Sequence, residues 1–215
     1  MNEVNEMNEI KRSGLVVVVG LVAVSLFLGG CGGSRPAKFY VLNSVSSPGA
    51  GGKPSALSES AVTVGIGPVE IPDYLDRPQI VTRTAQNGLE VNQFDRWGGS
   101  MKSDFGRVLI ENLSGMVPAA QMSVVPWKRG VPFQHRVAVD VGRFDVTPGE
   151  SVWLKAQWTI FGPDGKTVAM ARETNIKEPV AGRDYPTMVA AMSRAIGSLS
   201  QDIAGGLTTL ISAKR

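Results

Sequence analysis

The first thirty residues constrain this fold most, because they are written for export rather than for packing. Lys11 and Arg12 form a short positive patch, and Leu15 to Leu28 (LVVVVGLVAVSLFL) is almost wholly apolar. At about 1.5 Å per residue that run reaches roughly 21 Å as a helix, short of a bilayer core of roughly 30 Å. A run of this length behind a basic patch reads as a signal-peptide h-region and not as a membrane span. Leu28-Gly29-Gly30-Cys31 then matches the lipobox, in which small residues before a cysteine admit the lipoprotein peptidase and leave a thiol for diacylglycerol. Cys31 is the only cysteine, so no intrachain disulfide can form, although an exported compartment would permit one. Glu3, Glu6 and Glu9 suit a signal n-region poorly; translation from Met7 would leave Lys11 and Arg12 dominant.

Acylation at Cys31 sets the relation to the membrane. Each buried methylene contributes about 0.8 kcal/mol and one chain alone binds marginally, so the three chains of a mature bacterial lipoprotein anchor it permanently. Gly32 stands where an Asp commonly retains a lipoprotein in the inner membrane. The expected address is therefore the inner leaflet of the outer membrane, with the folded part in the periplasm. The expected organisation is a signal peptide over 1–30, a lipidated tether over 31–37 and one domain over 38–215. Removing residues 1–30 leaves 185 of the 215, enough for one well-cored domain and cramped for two. That part carries 20 basic and 16 acidic residues with no run of five or six like charges, so there is no nucleic-acid footprint.

Lys38 to Val45 (KFYVLNSV) reads as a first strand, and the Ser-, Gly- and Pro-rich stretch from Ser46 to Ser60 as a loop. Ala61 to Ile66 is a second strand, leading into Gly67-Pro68-Val69-Glu70-Ile71-Pro72, whose two prolines limit any central-strand role. Gln79 to Thr84 and Leu89 to Gln93 read as strands joined across Asn87-Gly88, a favoured hairpin signal. Phe105, Val108, Leu109, Asn112, Leu113 and Met116 follow helical spacing, ended by Pro118 and capped by Ser103 or Asp104. Arg136 to Val146 and Val152 to Phe161 alternate as strands, with Val152, Leu154, Ala156, Trp158 and Ile160 on one face. Turns at Pro148-Gly149 and Pro163-Asp164-Gly165 make an antiparallel meander ending near Ile176. Val189, Met192, Ile196, Leu199, Ile203, Leu207 and Leu210 then step along a long amphipathic helix. The fold class expected is a single α/β domain, with two main helices laid on a mixed, largely antiparallel sheet.

The residues offer little to a chemist. His135 is the only histidine, at the start of a strand, and reads as a surface or strand-edge residue rather than a triad member. A metal site lacks its three or four ligands, and no cofactor motif is present: Gly65-Ile66-Gly67 lacks the later glycine of a dinucleotide loop. Gly162-Pro163-Asp164-Gly165-Lys166 has no Walker spacing and reads as a hairpin turn. Glu70, Asp73 and Asp76 lie close together, and paired carboxylates can cleave glycosides. In a Pro-rich loop they read instead as turn caps and partners for Arg77 or Arg83. These features argue against an enzyme. Tyr74, Trp97 and Trp127 lie in loops beside Asp, Arg or Pro, where each could bind a partner or plug an end of the core.

One block is specific. Val64-Gly65-Ile66-Gly67-Pro68-Val69-Glu70-Ile71-Pro72-Asp73-Tyr74-Leu75-Asp76-Arg77-Pro78-Gln79-Ile80-Val81-Thr82-Arg83 is very similar to the signature of the PqiC-like lipoproteins, the paraquat-inducible group. These are auxiliary lipoproteins of ABC-type, MCE-domain transport systems. The resemblance continues through Phe39-Tyr40-Val41-Leu42, Phe94-Asp95-Arg96-Trp97, Arg107-Val108-Leu109, Glu111-Asn112-Leu113 and Pro126-Trp127. It extends to Val139-Asp140-Val141, Arg143-Phe144, Ala156-Gln157-Trp158 and the helix from Tyr185, so it covers nearly all of the mature chain. The Ser/Gly-rich loop at 46–60 is longer than the family's.

What the resemblance implies is an outer-membrane lipoprotein that docks a periplasm-spanning MCE tube carrying lipids between membranes, in support of envelope integrity. It further implies a fold related to the amino-terminal domain of TolB and, since MCE proteins form rings, a homo-oligomeric ring of lipoproteins. The expected partner-binding residues are Asp73, Tyr74, Asp76, Arg77 and Arg83 in one segment, and Asp95, Arg96 and Trp97 in the other. The competing readings are a lipid-binding carrier acting alone, which needs an apolar cavity of roughly 300 Å³ or more, and a hydrolase without a visible nucleophile.

Overall fold

The computed structural model describes residues 35–45, 62–124 and 132–213. Cys31, the loop at 46–60 and Trp127 lie outside the described residues. All the elements below belong to one compact unit, Ala37–Arg215.

The spine is the expected meander. β6 (His135–Thr147), β7 (Ser151–Phe161) and β8 (Val168–Pro179) pair antiparallel over almost their whole lengths. Val152, Leu154, Ala156, Trp158 and Ile160 are all buried, as the alternation requires. The β7–β8 turn is built on Asp164, which accepts from the backbone of Lys166 and Thr167 and from the Thr167 hydroxyl. Those bonds hold its carboxyl down near 2.

The other edge of β6 is shared. β2 (Val62–Glu70) runs parallel to its first half, and β3 (Gln79–Ala85) meets it further on, Thr82 opposite Val146. β2 and β3 thus follow one another along a single edge, separated by the loop 71–78. β5 (Ala120–Val124) extends the sheet parallel to β2. β4 (Gly88–Trp97) pairs antiparallel with β3, and β1 (Lys38–Tyr40) parallel with β4. The eight-stranded sheet is mixed, with antiparallel long ladders and parallel joins.

Two helices cover one face. α1 (Met101–Met116) lies against β2 and β5, and α2 (Tyr185–Ser212) crosses β6, β7 and β8. Phe105 on α1 meets Phe144 on β6 edge to face, with ring centroids 5.5 Å apart. Trp158 is buried beneath α2, its indole donating to Thr174, whose hydroxyl donates in turn to Asp202 on the helix. α2 begins on an Asp184 cap that accepts from the Thr187 amide, with Pro186 in its first turn.

Several local expectations are corrected. The cap of α1 is Ser100, not Ser103 or Asp104: its hydroxyl accepts from the Ser103 amide, and the helix starts earlier than the apolar spacing shows. β2 is a central strand despite Pro68. The ladder to β6 skips Gly67 and Pro68 in a register shift, and β5 pairs no further than Ile66, so no partner needs the missing N–H. The first strand is only three residues long. The β3–β4 turn is centred on Gln86 and Asn87, with Ala85 opposite Gly88 inside the ladder. His135 is buried, 6% exposed, because β2 lies alongside it at Val64.

Candidate functional site

The face of the sheet opposite the helices gathers charge around one carboxylate. Asp145 on β6 is 3% exposed, yet it accepts three hydrogen bonds. Tyr74 donates its hydroxyl to Oδ1 at 2.6 Å, Arg83 donates Nε to Oδ2 at 2.7 Å, and Arg143 donates Nε to the same Oδ2 at 2.6 Å. Two guanidiniums on one carboxylate leave the cluster net positive. Burial and the neighbouring Asp145 push the Tyr74 phenol up to about 12. The bond to Asp145 raises Arg83 above its ordinary value.

The cluster continues across the next two strands. The Arg143 guanidinium lies 3.8 Å over the ring of Trp153 on β7, and Lys177 Nζ on β8 sits 4.6 Å from the same ring. Trp153 Nε1 donates to Asn175 at 2.7 Å. A depression of about 370 Å³ adjoins this stripe, lined by Asp140, Gly142, Lys155, Gln157 and Glu173. Apart from Gly142, its lining residues are charged or polar.

The loop 71–78 is pinned at three points. Leu75 enters the core at 4% exposure, Tyr74 reaches Asp145, and Asp76 accepts from the Ser100 hydroxyl at the start of α1. Asp73 and Arg77 remain exposed on a rigid base. The expected carboxylate–arginine pairs within the loop do not form: Glu70 pairs with Lys102, and Arg83 with Asp145.

The eight expected contact residues therefore fall in two places. Tyr74 and Arg83 meet on Asp145, with Asp73, Asp76 and Arg77 on the adjoining loop. Asp95, Arg96 and Trp97 lie at the β1–β4 end. There Tyr40 donates its hydroxyl to Asp95 at 2.6 Å, and burial with that contact pushes the Tyr40 phenol up to about 12. Trp97 is 6% exposed and its amide bonds to Pro78, so it plugs the core.

Arg143, Asp145, Trp153 and Lys177 are the members that the sequence reading does not find. The signal for the first two was Gly142. Continuing the alternation of Val137, Val139 and Val141 places residue 143 inward, but the register shifts between Val141 and Arg143. Phe144 turns in, and Arg143 and Asp145 turn out. A lone glycine inside a strand marks such a bulge.

A second hollow lies between α1 and β2, an open groove of about 450 Å³ lined by Ile66, Val69, Gly106 and Ile110, with Lys102, Arg107 and Glu111 also lining it. Among the described residues no group of three or more His, Cys, Asp or Glu could hold a metal. No described helix is long and apolar enough to cross a membrane.

Two helices cover one side of the sheet, and a charged, aromatic stripe lies on the other. A family model described as ABC-type transport auxiliary lipoprotein component matches residues 40–204, and the chain belongs to that family, the PqiC-like group. No curated protein matches. A crystal structure of an uncharacterized protein is 17% identical with a TM-score of 0.65, covering 80% of this chain and 99% of its own. A Xanthomonas campestris protein of family DUF330 is 16% identical with a TM-score of 0.64, covering 83% and 100%. At such identities the two structures show a shared fold alone.

Proposed function

We propose that this chain is the docking subunit of an MCE-type intermembrane lipid transport system, anchored through Cys31 in the outer membrane and facing the periplasm. The family supplies the transport auxiliary role. The observation that carries the docking role is the stripe Arg83, Arg143, Trp153 and Lys177 beside the pinned loop 71–78, on a sheet face that neither helix covers. Trp and Arg dominate the energetics of protein interfaces, and a loop ordered in advance loses little entropy on binding. Asp73, Asp76 and Arg77 add charges of both signs, which sets register with a partner.

The test is a mild-detergent pull-down of the tagged lipoprotein from native membranes, read by mass spectrometry, with Cys31→Ala as control. The expected result is recovery of an MCE-domain protein with its ABC partners, and its loss in Arg77→Ala and Trp153→Ala while the thermal melt is kept. Trp97 is not the residue to change, since its burial makes it a test of folding. Normal recovery with both variants overturns the site assignment; recovery of the lipoprotein alone overturns the docking role.

The groove between α1 and β2 favours a second reading, a carrier that itself binds lipid along Ile66, Val69 and Ile110. Native mass spectrometry of delipidated protein would then show stoichiometric lipid uptake, abolished by Ile110→Glu. An empty spectrum removes this reading.

A further inference from the structure

The β1–β4 end of the sheet carries a second surface of a different kind. Phe39 is 65% exposed, Val41 50% and Phe94 41%, which is unusual for large apolar side chains in one neighbourhood. The register explains why they share a side. Phe39 stands opposite Arg96 and Tyr40 opposite Trp97, with Tyr40, Asp95 and Trp97 turned to the other face. Phe94 lies two residues before Arg96 on β4, and Val41 two residues after Phe39.

The guanidinium on this face lacks a partner among the described residues. The buried Nε of Arg96 makes no hydrogen bond. Among the described residues Arg96 forms no ion pair, and Asp95, the nearest carboxylate in sequence, is engaged by Tyr40 on the opposite face. A half-buried guanidinium opposite the exposed Phe39 suits an anionic group at an apolar boundary.

The chain says which boundary. Lys38 follows Cys31 by seven residues. Fully extended, that tether spans at most about 25 Å. We infer that the Phe39, Val41 and Phe94 face lies on the lipid leaflet that holds Cys31, with Arg96 meeting lipid phosphate. This rests on acylation of Cys31. Apolar side chains then enter the headgroup boundary while the guanidinium stays at the phosphate level, as in other interfacial elements. Contact here fixes the domain's orientation and turns β8, at the far edge of the sheet, toward the periplasm.

The test uses the full acylated protein in vesicles of phosphatidylethanolamine and phosphatidylglycerol. Since Cys31 is the only cysteine and its thiol is consumed, Val41→Cys or Val168→Cys provides a single site for an environment-sensitive fluorophore. Val168 is 56% exposed on β8 and serves as the reference. The expected result is a blue-shifted probe at 41, quenched several-fold more by lipids brominated near the headgroup than the probe at 168. Adding Arg96→Gln should remove most of that difference. Equal, weak quenching at both positions, in protein whose intact mass carries acyl chains, overturns the proposal alone. A mass without acyl chains overturns the anchor and the proposal with it. Shielding at 41 that persists in lipid-free detergent, with a multiple of the monomer mass by light scattering, assigns the face to a second copy and also overturns the proposal.

Discussion

Asp145 carries the electrostatics of the uncovered face because it is withdrawn from water while its cations are not. Arg83 and Arg143 keep 18% and 28% of their side-chain exposure, against 3% for the carboxylate. Removing the acceptor leaves two guanidiniums crowded together and a phenol without its bond. Asp145→Ala should therefore cost about 3 kcal/mol in urea unfolding, at the lower end for a broken buried pair because the cations can rehydrate. Tyr74→Phe should cost only about 1 kcal/mol at neutral pH, one hydrogen bond. Its signature is in alkali. The folded phenol stands near 12 against an ordinary 10.0, so the fold favours the neutral, donating form. That contribution is complete below pH 10 and is lost as pH rises through about 12. The urea midpoint of Tyr74→Phe should fall less steeply across that window than the wild type's. An identical slope would mean that neither burial nor Asp145 shifts the phenol in the folded state. Tyr40→Phe should behave likewise through Asp95. Of this cluster only Tyr74 and Arg83 were legible in sequence. Their meeting point depends on a one-residue bulge, which reverses the facing of everything after it.

At the scale of elements, the five residues after β1 form a strap between the two helices, and several motif residues exist to hold it. The Leu42 amide donates to Asp104 at 2.6 Å, and Arg107 donates to the Leu42 carbonyl at 2.6 Å. Asn43 donates to Ser193 on α2 at 3.1 Å. Asn112 is fully buried: its Oδ1 accepts from the Ser44 hydroxyl at 2.8 Å and the Val45 amide at 3.0 Å, while Nδ2 donates to Ser200 at 3.2 Å. Gly197 is required by the same strap, since a Cβ there would lie 2.3 Å from Val45 Cγ2. In sequence, Asn112 reads as one more residue on a helical stripe, and the Ser and Gly of α2 as interruptions of an apolar face. Periodicity names the face that is buried but not what is laid on it. Asn112→Ala should destabilise by about 2 kcal/mol, for a lost buried acceptor and donor. Hydrogen exchange should locate the loss, with the Val45 amide exchanging much faster and β7 unchanged. Uniform acceleration across the domain would make Asn112 a general core residue instead. The succession of β2 and β3 along one edge of β6 was likewise hidden, because alternation reports a strand and never its neighbour.

For the whole molecule, the question is how one domain meets both a membrane and a transport complex. The sheet ends in β1, three residues long, on one branch and in β8, twelve residues long, on its far edge. A long unpaired edge invites strand addition, yet β8 exposes Arg172, Glu173 and Lys177 along its length, which discourages uncontrolled pairing. A closed ring needs something else: two different patches on each protomer that match head to tail, with a rotation that closes. The uncovered face and the helical face are different in kind, which leaves their complementarity as the point to test. The rotation is what a tube partner could impose. Size-exclusion light scattering of the detergent-solubilised lipoprotein should give a defined multiple of the monomer mass when the proposed MCE partner is present. Raising ionic strength should dissolve that assembly before it unfolds the domain, because the stripe of Arg83, Arg143 and Lys177 is screened over about 10 Å at 0.1 M salt. Monomer in both the presence and absence of the partner would remove the ring while leaving one-to-one docking intact. An assembly indifferent to salt would move the interface away from the charged stripe and toward the apolar groove between α1 and β2.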